Sequence, residues 1–291
     1  MTDIVPAWAE EFFDDGPGPA FSLAFPGRVT RSWAYGDGTG RGVRVAVIDS
    51  GIEDGHPLVG KVQQAIAVEV SDDDDDDDVT FIEAPHDDLY GHGTACAGLI
   101  RAMAPEVELV SVRVLGPDLK GSAYTFANGL EWCIDNAVNV VNLSLSTANE
   151  DYAETFYELI DQATQRNVMV VSAMNNERKR SIPSEFAGVF SVACCAGSDR
   201  ERFLRNPRAP AEWGAVGVDM EVPWGGGSTI VATGNSFAAA VMTGHVARVV
   251  GAHPGITPWQ AKTVLAALAA NAEASSPARS PSKRRSTSSL S

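Results

Sequence analysis

The sequence has few cysteines: it contains four, and no pair of them has the spacing of metal ligands or of a catalytic motif. Cys96 and Cys133 fall in predicted helices. Cys194 and Cys195 are adjacent on a predicted strand, where successive side chains point to opposite faces. We therefore expect buried free thiols, no metal site and no other cofactor.

Net positive charge and long apolar runs are also missing. The formal net charge is -16 at pH 7, which argues against a nucleic-acid partner. No apolar stretch approaches the roughly 20 residues of a membrane-spanning helix. The first residues, Met1 to Val5, are not a basic segment followed by an apolar run. We therefore expect neither a membrane partner nor a secretion signal, and a cytoplasmic location.

Three segments lack the periodicity of a folded domain. Residues 1–32 are rich in Gly, Pro and Asp and are predicted to form an irregular arm. Residues 72–78 are consecutive aspartates, which predict a solvated loop, because a calcium loop needs alternating ligands and a turn glycine. Residues 272–291 combine Ser, Pro and basic residues and predict a disordered tail. Residues 33–271 are left as one domain.

This domain alternates strand and helix signals. Residues 43–49 form a β-rich apolar run that is typical of a buried parallel strand. Repeated strand-helix order predicts an α/β fold, a mostly parallel sheet with helices on both faces, whereas residues 199–227 predict loops or short antiparallel strands. The other predicted strands are 109–114, 138–145, 168–173 and 189–196, and the predicted helices begin at His92, Ser122, Tyr152, Ser236 and Pro258.

A glycine turn delivers Ser236 to the start of an apolar helix. At that position unpaired backbone N–H groups and the helix dipole favour negative charge, which suits a serine that attacks a carbonyl. A serine before a helix also serves as a simple cap. The choice between nucleophile and cap depends on distant partners.

Two candidate partners for Ser236 lie at the boundaries of other predicted strands and helices. Asp49 lies at the carboxyl end of a strand, and His92 stands between glycines at the start of a helix. Each alone fits an ordinary turn residue. Nucleophilic acyl transfer, however, needs a hydroxyl, an imidazole and an orienting carboxylate, and Asp49, His92 and Ser236 supply all three.

The residues around these three positions resemble the subtilisin-like serine proteases, or subtilases. The matching stretches are residues 42–52, 88–94 with 97–98, and 234–238, and the similarity extends from about Trp33 to about Leu268. The resemblance implies a three-layer α/β/α sandwich that hydrolyses peptide bonds of a peptide or protein substrate through an acyl-enzyme. It makes Ser236 the nucleophile, His92 the general base and acid, and Asp49 the orienting carboxylate.

The resemblance also extends to the cleft. It implies that Asn175, at the end of a strand, donates to the oxyanion together with the backbone N–H of Ser236, with Asn176 as the competing assignment. Residues 141–146 resemble the strand with which an extended substrate pairs. The implied substrate-binding residues are Asp88, Ser144, Leu145, Ser146 and Thr147. Ser146 and Thr147 replace glycines common in the family, which predicts a narrow first specificity pocket.

Departures from the family pattern leave two hypotheses open. Asn235, Phe237 and Ala240 differ from the usual Gly-Thr-Ser-Met-Ala turn and its following proline, and Met174 replaces a glycine. The first hypothesis is a cytoplasmic serine endopeptidase devoted to a specific processing or regulatory cleavage. The alternative is a catalytically impaired homologue that binds peptides. An α/β-hydrolase is excluded, because Ala238 occupies the position of a required glycine.

Overall fold

The computed structural model of the protein describes residues 23–70 and 79–272. The acidic run 72–78, most of the predicted arm 1–32 and nearly all of the predicted tail 272–291 lie outside the described residues. The domain boundaries at residues 33 and 271 therefore stay predictions.

Nine strands of the described chain form one sheet in the order β3-β2-β4-β1-β5-β6-β7-β9-β8. The strands from β2 to β9 in this order pair in parallel, and the edge strands β3 and β8 pair antiparallel. β10 and β11 form a separate hairpin. The strands are β1 (Arg44–Asp49), β2 (Gln64–Val70), β3 (Val79–Glu83), β4 (Glu108–Arg113), β5 (Val140–Leu143), β6 (Met169–Ala173), β7 (Phe190–Cys195), β8 (Leu204–Arg205), β9 (Trp213–Val216), β10 (Met220–Trp224) and β11 (Ser228–Ala232).

Helices cover both faces of the sheet. In the described ranges none of them combines the length and the apolarity needed to cross a membrane. The helices are α1 (Arg31–Tyr35), α2 (His92–Met103), α3 (Ala123–Asp135), α4 (Ala153–Gln165), α5 (Asn235–Ala252) and α6 (Pro258–Leu268), with a 3₁₀ turn at Glu150–Tyr152.

The alternation of β1 divides the hydrophobic core in two. Val45 and Val47 pack with buried residues of α2 and α5 on one face. Ala46 and Ile48 pack with α3 and α4 on the other. Successive strand residues point to opposite faces, so a strand that is apolar throughout needs a helical layer on each side. The predicted fold class, a three-layer α/β/α sandwich with a mostly parallel sheet, is confirmed.

Two expectations need correction. The interpretation of residues 199–227 as loops or short antiparallel strands is partly wrong, because β9 pairs in parallel with β7. Four residues are too few for periodicity to reveal a strand, so the pairing partner decides. All four cysteines are free, yet only Cys96 and Cys133 are buried. Cys194 and Cys195 are half-buried, because they are the last two residues of β7, at the carboxyl end of the strand.

The close packing of α2 against α5 positions the first residues of both helices. Gly244 of α5 lies against Met103 of α2, and a Cβ atom at residue 244 would overlap the Met103 side chain. Gly98 of α2 is similarly close to Pro223 of β10. Glycine at these contacts lets the elements approach closely, so Gly244 specifies the spacing between α2 and α5, and Gly98 that between α2 and β10.

Replacing Gly244 by alanine is therefore expected to destabilise the protein. Alanine favours a helix by about 1 kcal/mol over glycine, but overpacking against Met103 costs about 1–3 kcal/mol or more. Chemical denaturation should show a net loss of stability. The control is Gly225→Ala, since nothing lies within 4 Å of a Cβ placed there. A Gly244→Ala variant as stable as this control would contradict the packing argument.

Candidate active site

Asp49 and His92 meet at the carboxyl edge of the sheet. β1 ends at Asp49, which is fully buried, and α2 begins at His92. Nδ1 of His92 lies 2.8 Å from both carboxylate oxygens of Asp49. Because a carboxylate only accepts, Nδ1 carries the ring proton and donates it, which leaves Nε2 as the basic nitrogen.

The turn after β1 holds the Asp49 carboxylate in place. The backbone N–H of Ser50 donates to Oδ1 at 2.8 Å, and the Ser50 hydroxyl lies 3.2 Å from the same atom. Gly93, directly after the histidine, fits against the carbonyl of Gly51, which any side chain at residue 93 would overlap. The glycine beside His92 is thus a packing requirement of this contact.

Burial and charge have opposite effects on His92. Burial is the largest influence and by itself lowers the pKa of the imidazole, because it disfavours the charged form. The Asp49 carboxylate, its hydrogen bond and the more distant Asp88 raise the pKa and outweigh burial. The net pKa of His92 lies above the ordinary value of 6.5.

Ser236 lies in the first turn of α5. Its side chain is nearly buried, and its hydroxyl donates to the carbonyl oxygen of Ser144 at 3.2 Å. The next residue, Phe237, has its ring centroid 5.7 Å from that of His92. The start of α5 therefore lies directly beside the imidazole, although the hydrogen bond of Ser236 is made to Ser144.

A cavity of about 590 Å³ unites most of the predicted site residues. This volume is within the usual range of ligand pockets. Its lining includes His92, Ser236, Ser144, Leu145, Ser146, Thr147, Asn175 and Asn176.

Asp88 does not belong to this lining. Its carboxylate instead accepts hydrogen bonds from the Ser50 hydroxyl, the backbone N–H groups of Tyr90 and Gly91, and both the N–H and the hydroxyl of Thr94. These bonds connect the turn after β1 to the start of α2. The substrate-binding role of Asp88 stays a prediction, and its contacts are those of a residue that supports Asp49 and His92.

Two asparagines follow β6 at the cleft. Oδ1 of Asn175 accepts the N–H of Glu177 at 2.9 Å, which leaves the NH₂ group of Asn175 available as a donor. Asn176 is more exposed, and its Oδ1 accepts the N–H of Asn235 at 3.0 Å. Asn175 is thus the more enclosed of the two predicted oxyanion donors.

Metal ions are commonly bound by His, Cys, Asp and Glu side chains. In the part of the chain that the structure describes, one group of three such residues is close enough together to hold an ion: Asp49, His92 and Cys96. Their ligand atoms lie within 4.8 Å of one another. Asp49, however, already holds the proton on Nδ1 of His92. Burial also raises the pKa of the Cys96 thiol well above its ordinary value, which disfavours the thiolate that a metal requires. The arrangement suits proton transfer better than metal binding.

Sequence reasoning missed the supporting residues of the site. In the sequence Asn235 is recognisable only as a departure from the usual threonine, although its side chain bonds to the ends of β6 and β7. Ser50 gave no signal beyond its place after Asp49. Both act through contacts between segments distant in sequence, which a local pattern does not contain.

Comparisons with known proteins agree on one family. A family model described as "Subtilase family" matches residues 40–284. Subtilisin BL and Subtilisin Savinase, both of Lederbergia lenta, are each 31% identical in an alignment of 241 residues, and the alignment covers 78% of this chain and 83% of each relative. The crystal structure of a cold adapted subtilisin-like serine proteinase has a similar fold, with a TM-score of 0.60 at 24% identity, over 77% of this chain and 81% of that protein.

The opposing influences on His92 lead to a measurable prediction. NMR titration of the imidazole should give a pKa above 6.5 in the unmodified protein. In an Asp49→Asn variant the pKa should fall below 6.5, because burial then acts almost unopposed. His86 is an internal reference, since burial and Arg113 lower its pKa to about 4 and it does not bond to Asp49. An unchanged His92 pKa in the variant would refute this account.

Proposed function

Because the chain belongs to the subtilase family, it is a serine-type endopeptidase, and we propose that it cleaves its substrates through an acyl-enzyme on Ser236. His92 acts as the general base and acid, and Asp49 orients the imidazole. The observation that carries the proposal is the 2.8 Å contact of the buried Asp49 with Nδ1 of His92, in a cleft that Ser236 also lines.

The first step requires a rotation of one side chain. The Ser236 hydroxyl turns from the Ser144 carbonyl towards Nε2 of His92, which is the unprotonated ring nitrogen. Nε2 removes the hydroxyl proton while the oxygen attacks the substrate carbonyl carbon. The imidazolium that forms is stabilised by Asp49, and it then gives the proton to the leaving amine. A water molecule then attacks the acyl-enzyme and gives its proton to Nε2 of His92. His92 returns this proton to the Ser236 oxygen as the ester bond breaks, which releases the carboxylic acid product.

The negative oxygen of the tetrahedral intermediate needs fixed donors. The NH₂ group of Asn175 is one, since its Oδ1 is held by Glu177. The backbone N–H of Ser236 is the other, because it lies in the first helical turn, ahead of the intrahelical hydrogen bonds. Removing one such donor from the oxyanion hole of subtilisin lowers turnover about 100- to 1000-fold.

The substrate lies in the cleft as an extended strand. Ser144 to Thr147 follow β5 along the cavity, and Leu145 and Ser146 offer backbone groups for antiparallel pairing. Both backbone groups of Thr147, its N–H and its carbonyl, are bonded to Ile182 at 2.9 Å. This pairing holds the side chains of Ser146 and Thr147 at the cavity wall, where they narrow the first specificity pocket.

We further infer an intracellular role in one specific processing or regulatory cleavage. The four free thiols support an intracellular location, because reducing compartments keep cysteines unpaired. The narrow pocket supports selectivity. The acidic composition supports a role without a nucleic-acid partner.

A peptide-binding module without turnover is the second candidate. The observation that favours it is the hydrogen bond from the Ser236 hydroxyl to Ser144, which competes with His92 for that hydroxyl. The altered residues Met174, Asn235 and Ala240 around the serine turn point the same way. The two candidates differ in the reactivity of one hydroxyl.

A fluorophosphonate probe separates these candidates. The protease hypothesis predicts covalent labelling of the purified protein that is lost in Ser236→Ala and strongly reduced in His92→Ala, since an unactivated serine does not react. Intact-protein mass spectrometry measures the adduct. The matched control is Ser228→Ala, a serine on β11 outside the cleft lining. Absence of labelling in the unmodified protein would favour the binding module.

The narrow pocket predicts the residue preference at the scissile bond. In a peptide library, cleavage after small residues should exceed cleavage after large aromatic residues by about 10-fold or more. Replacing both Ser146 and Thr147 by glycine should increase cleavage after large residues, because this change removes the two side chains that narrow the pocket. A preference for aromatic residues in the unmodified enzyme would contradict the model of a narrow pocket.

A further inference from the structure

The side chain of Asn235 connects three segments of the cleft. Its Nδ2 donates to the carbonyl of Met174 at 3.0 Å and to that of Asn175 at 3.2 Å. Its Oδ1 accepts the N–H of Cys194 at 2.8 Å. The ends of β6 and β7 are thereby bonded to the first residue of α5, which directly precedes Ser236.

The backbone of Asn235 adds a fourth bond to the same segments. Its N–H donates to Oδ1 of Asn176 at 3.0 Å. Asn175, in turn, is anchored from the other side, because its N–H donates to the Ser181 hydroxyl at 2.8 Å. The peptide unit that carries the proposed oxyanion amide is therefore held between Asn235 and Ser181.

The oxyanion hole explains why such a bridge matters. Its two donors, the Asn175 amide and the Ser236 N–H, belong to different elements that are far apart in sequence. Both must lie about 3 Å from the same oxygen, and an error of about 1 Å costs on the order of 100-fold in rate. The bridge from Asn235 spans the two elements that carry these donors.

An amide is the side chain suited to this bridge. It offers two N–H donors and a carbonyl acceptor in one plane, whereas the threonine usual in the family offers a single hydroxyl. Two carbonyls and one N–H face Asn235, so each polar group of the amide finds its complement. A hydroxyl would leave part of this set unpaired.

We propose that Asn235 is a positioning residue of the oxyanion hole: its amide sets the distance between Asn175 and the Ser236 N–H. The inference rests on the proposed acyl-transfer function. Asn235 does not touch the reacting atoms, and it acts through Asn175 and the start of α5.

The test is a double-mutant cycle measured with a fluorophosphonate probe, which needs no known substrate. Asn235→Asp keeps the acceptor for Cys194 and loses both donor bonds, with a carboxylate now facing two carbonyls. We expect kinact for Ser236 to fall about 10- to 100-fold and KI to change less than about 3-fold. In an Asn175→Ala background the same substitution should cost less than about 3-fold, because the group it positions is gone.

The chain offers a matched control in Asn206. Its Nδ2 donates to the carbonyls of Arg208 and Ala211, and its Oδ1 accepts the N–H of Arg208, in a loop at the outer edge of the sheet. Asn206→Asp makes the same chemical change in a similar bonding pattern and should leave kinact unchanged. If Asn235→Asp does not fold, Asn235→Ser completes the cycle with a small neutral side chain.

The outcomes distinguish a failure of the positioning role of Asn235 from a failure of the proposed function. Equal losses from Asn235→Asp with and without Asn175, or an effect on KI alone, would overturn the positioning role. A loss in Asn206→Asp as large as that in Asn235→Asp would do the same. Absence of Ser236 labelling in the unmodified protein would overturn the proposed function itself.

Discussion

The contact between Asp49 and His92 is the interaction on which the site depends. A carboxylate without exposure to water needs hydrogen-bond donors, because burial without them is costly. Ser50 and His92 supply these donors from the turn after β1 and from the start of α2. The same contact chooses the tautomer of His92, raises its pKa and leaves Nε2 as the base. Packing and chemistry thus require the same arrangement of strand end and helix start.

A second layer of contacts keeps that arrangement rigid. Asp88 joins the turn after β1 to α2, and the tight contact at Gly244 joins α2 to α5. Asn235 then joins α5 to the ends of β6 and β7. Each of these links is made inside or beside the hydrophobic core. The elements that carry the reactive side chains are therefore fixed relative to the sheet. The cleft is therefore preorganised, except for the rotation required of Ser236.

How far the sequence predicted the site depended on the kind of signal. Asp49, His92 and Ser236 lie in glycine-rich turns at the boundaries of periodic segments, and such boundaries can be recognised locally. Asp88 belongs to a recognisable motif, but the motif does not reveal that its carboxylate accepts five hydrogen bonds from within the protein. The role of Asn235 depends on Met174 and Cys194, which are 61 and 41 residues away.

The sequence by itself determined the α/β class, because apolar strands and helices alternate with distinct periods, and it determined the family, because three motifs keep their order. Only the tertiary structure decided the pairing of β9, the partial exposure of Cys194, the present direction of the Ser236 hydroxyl and the bridge at Asn235. The physical reason is that periodicity and turn chemistry act over a few residues. Hydrogen bonds and packing between remote segments exist only once the chain has folded.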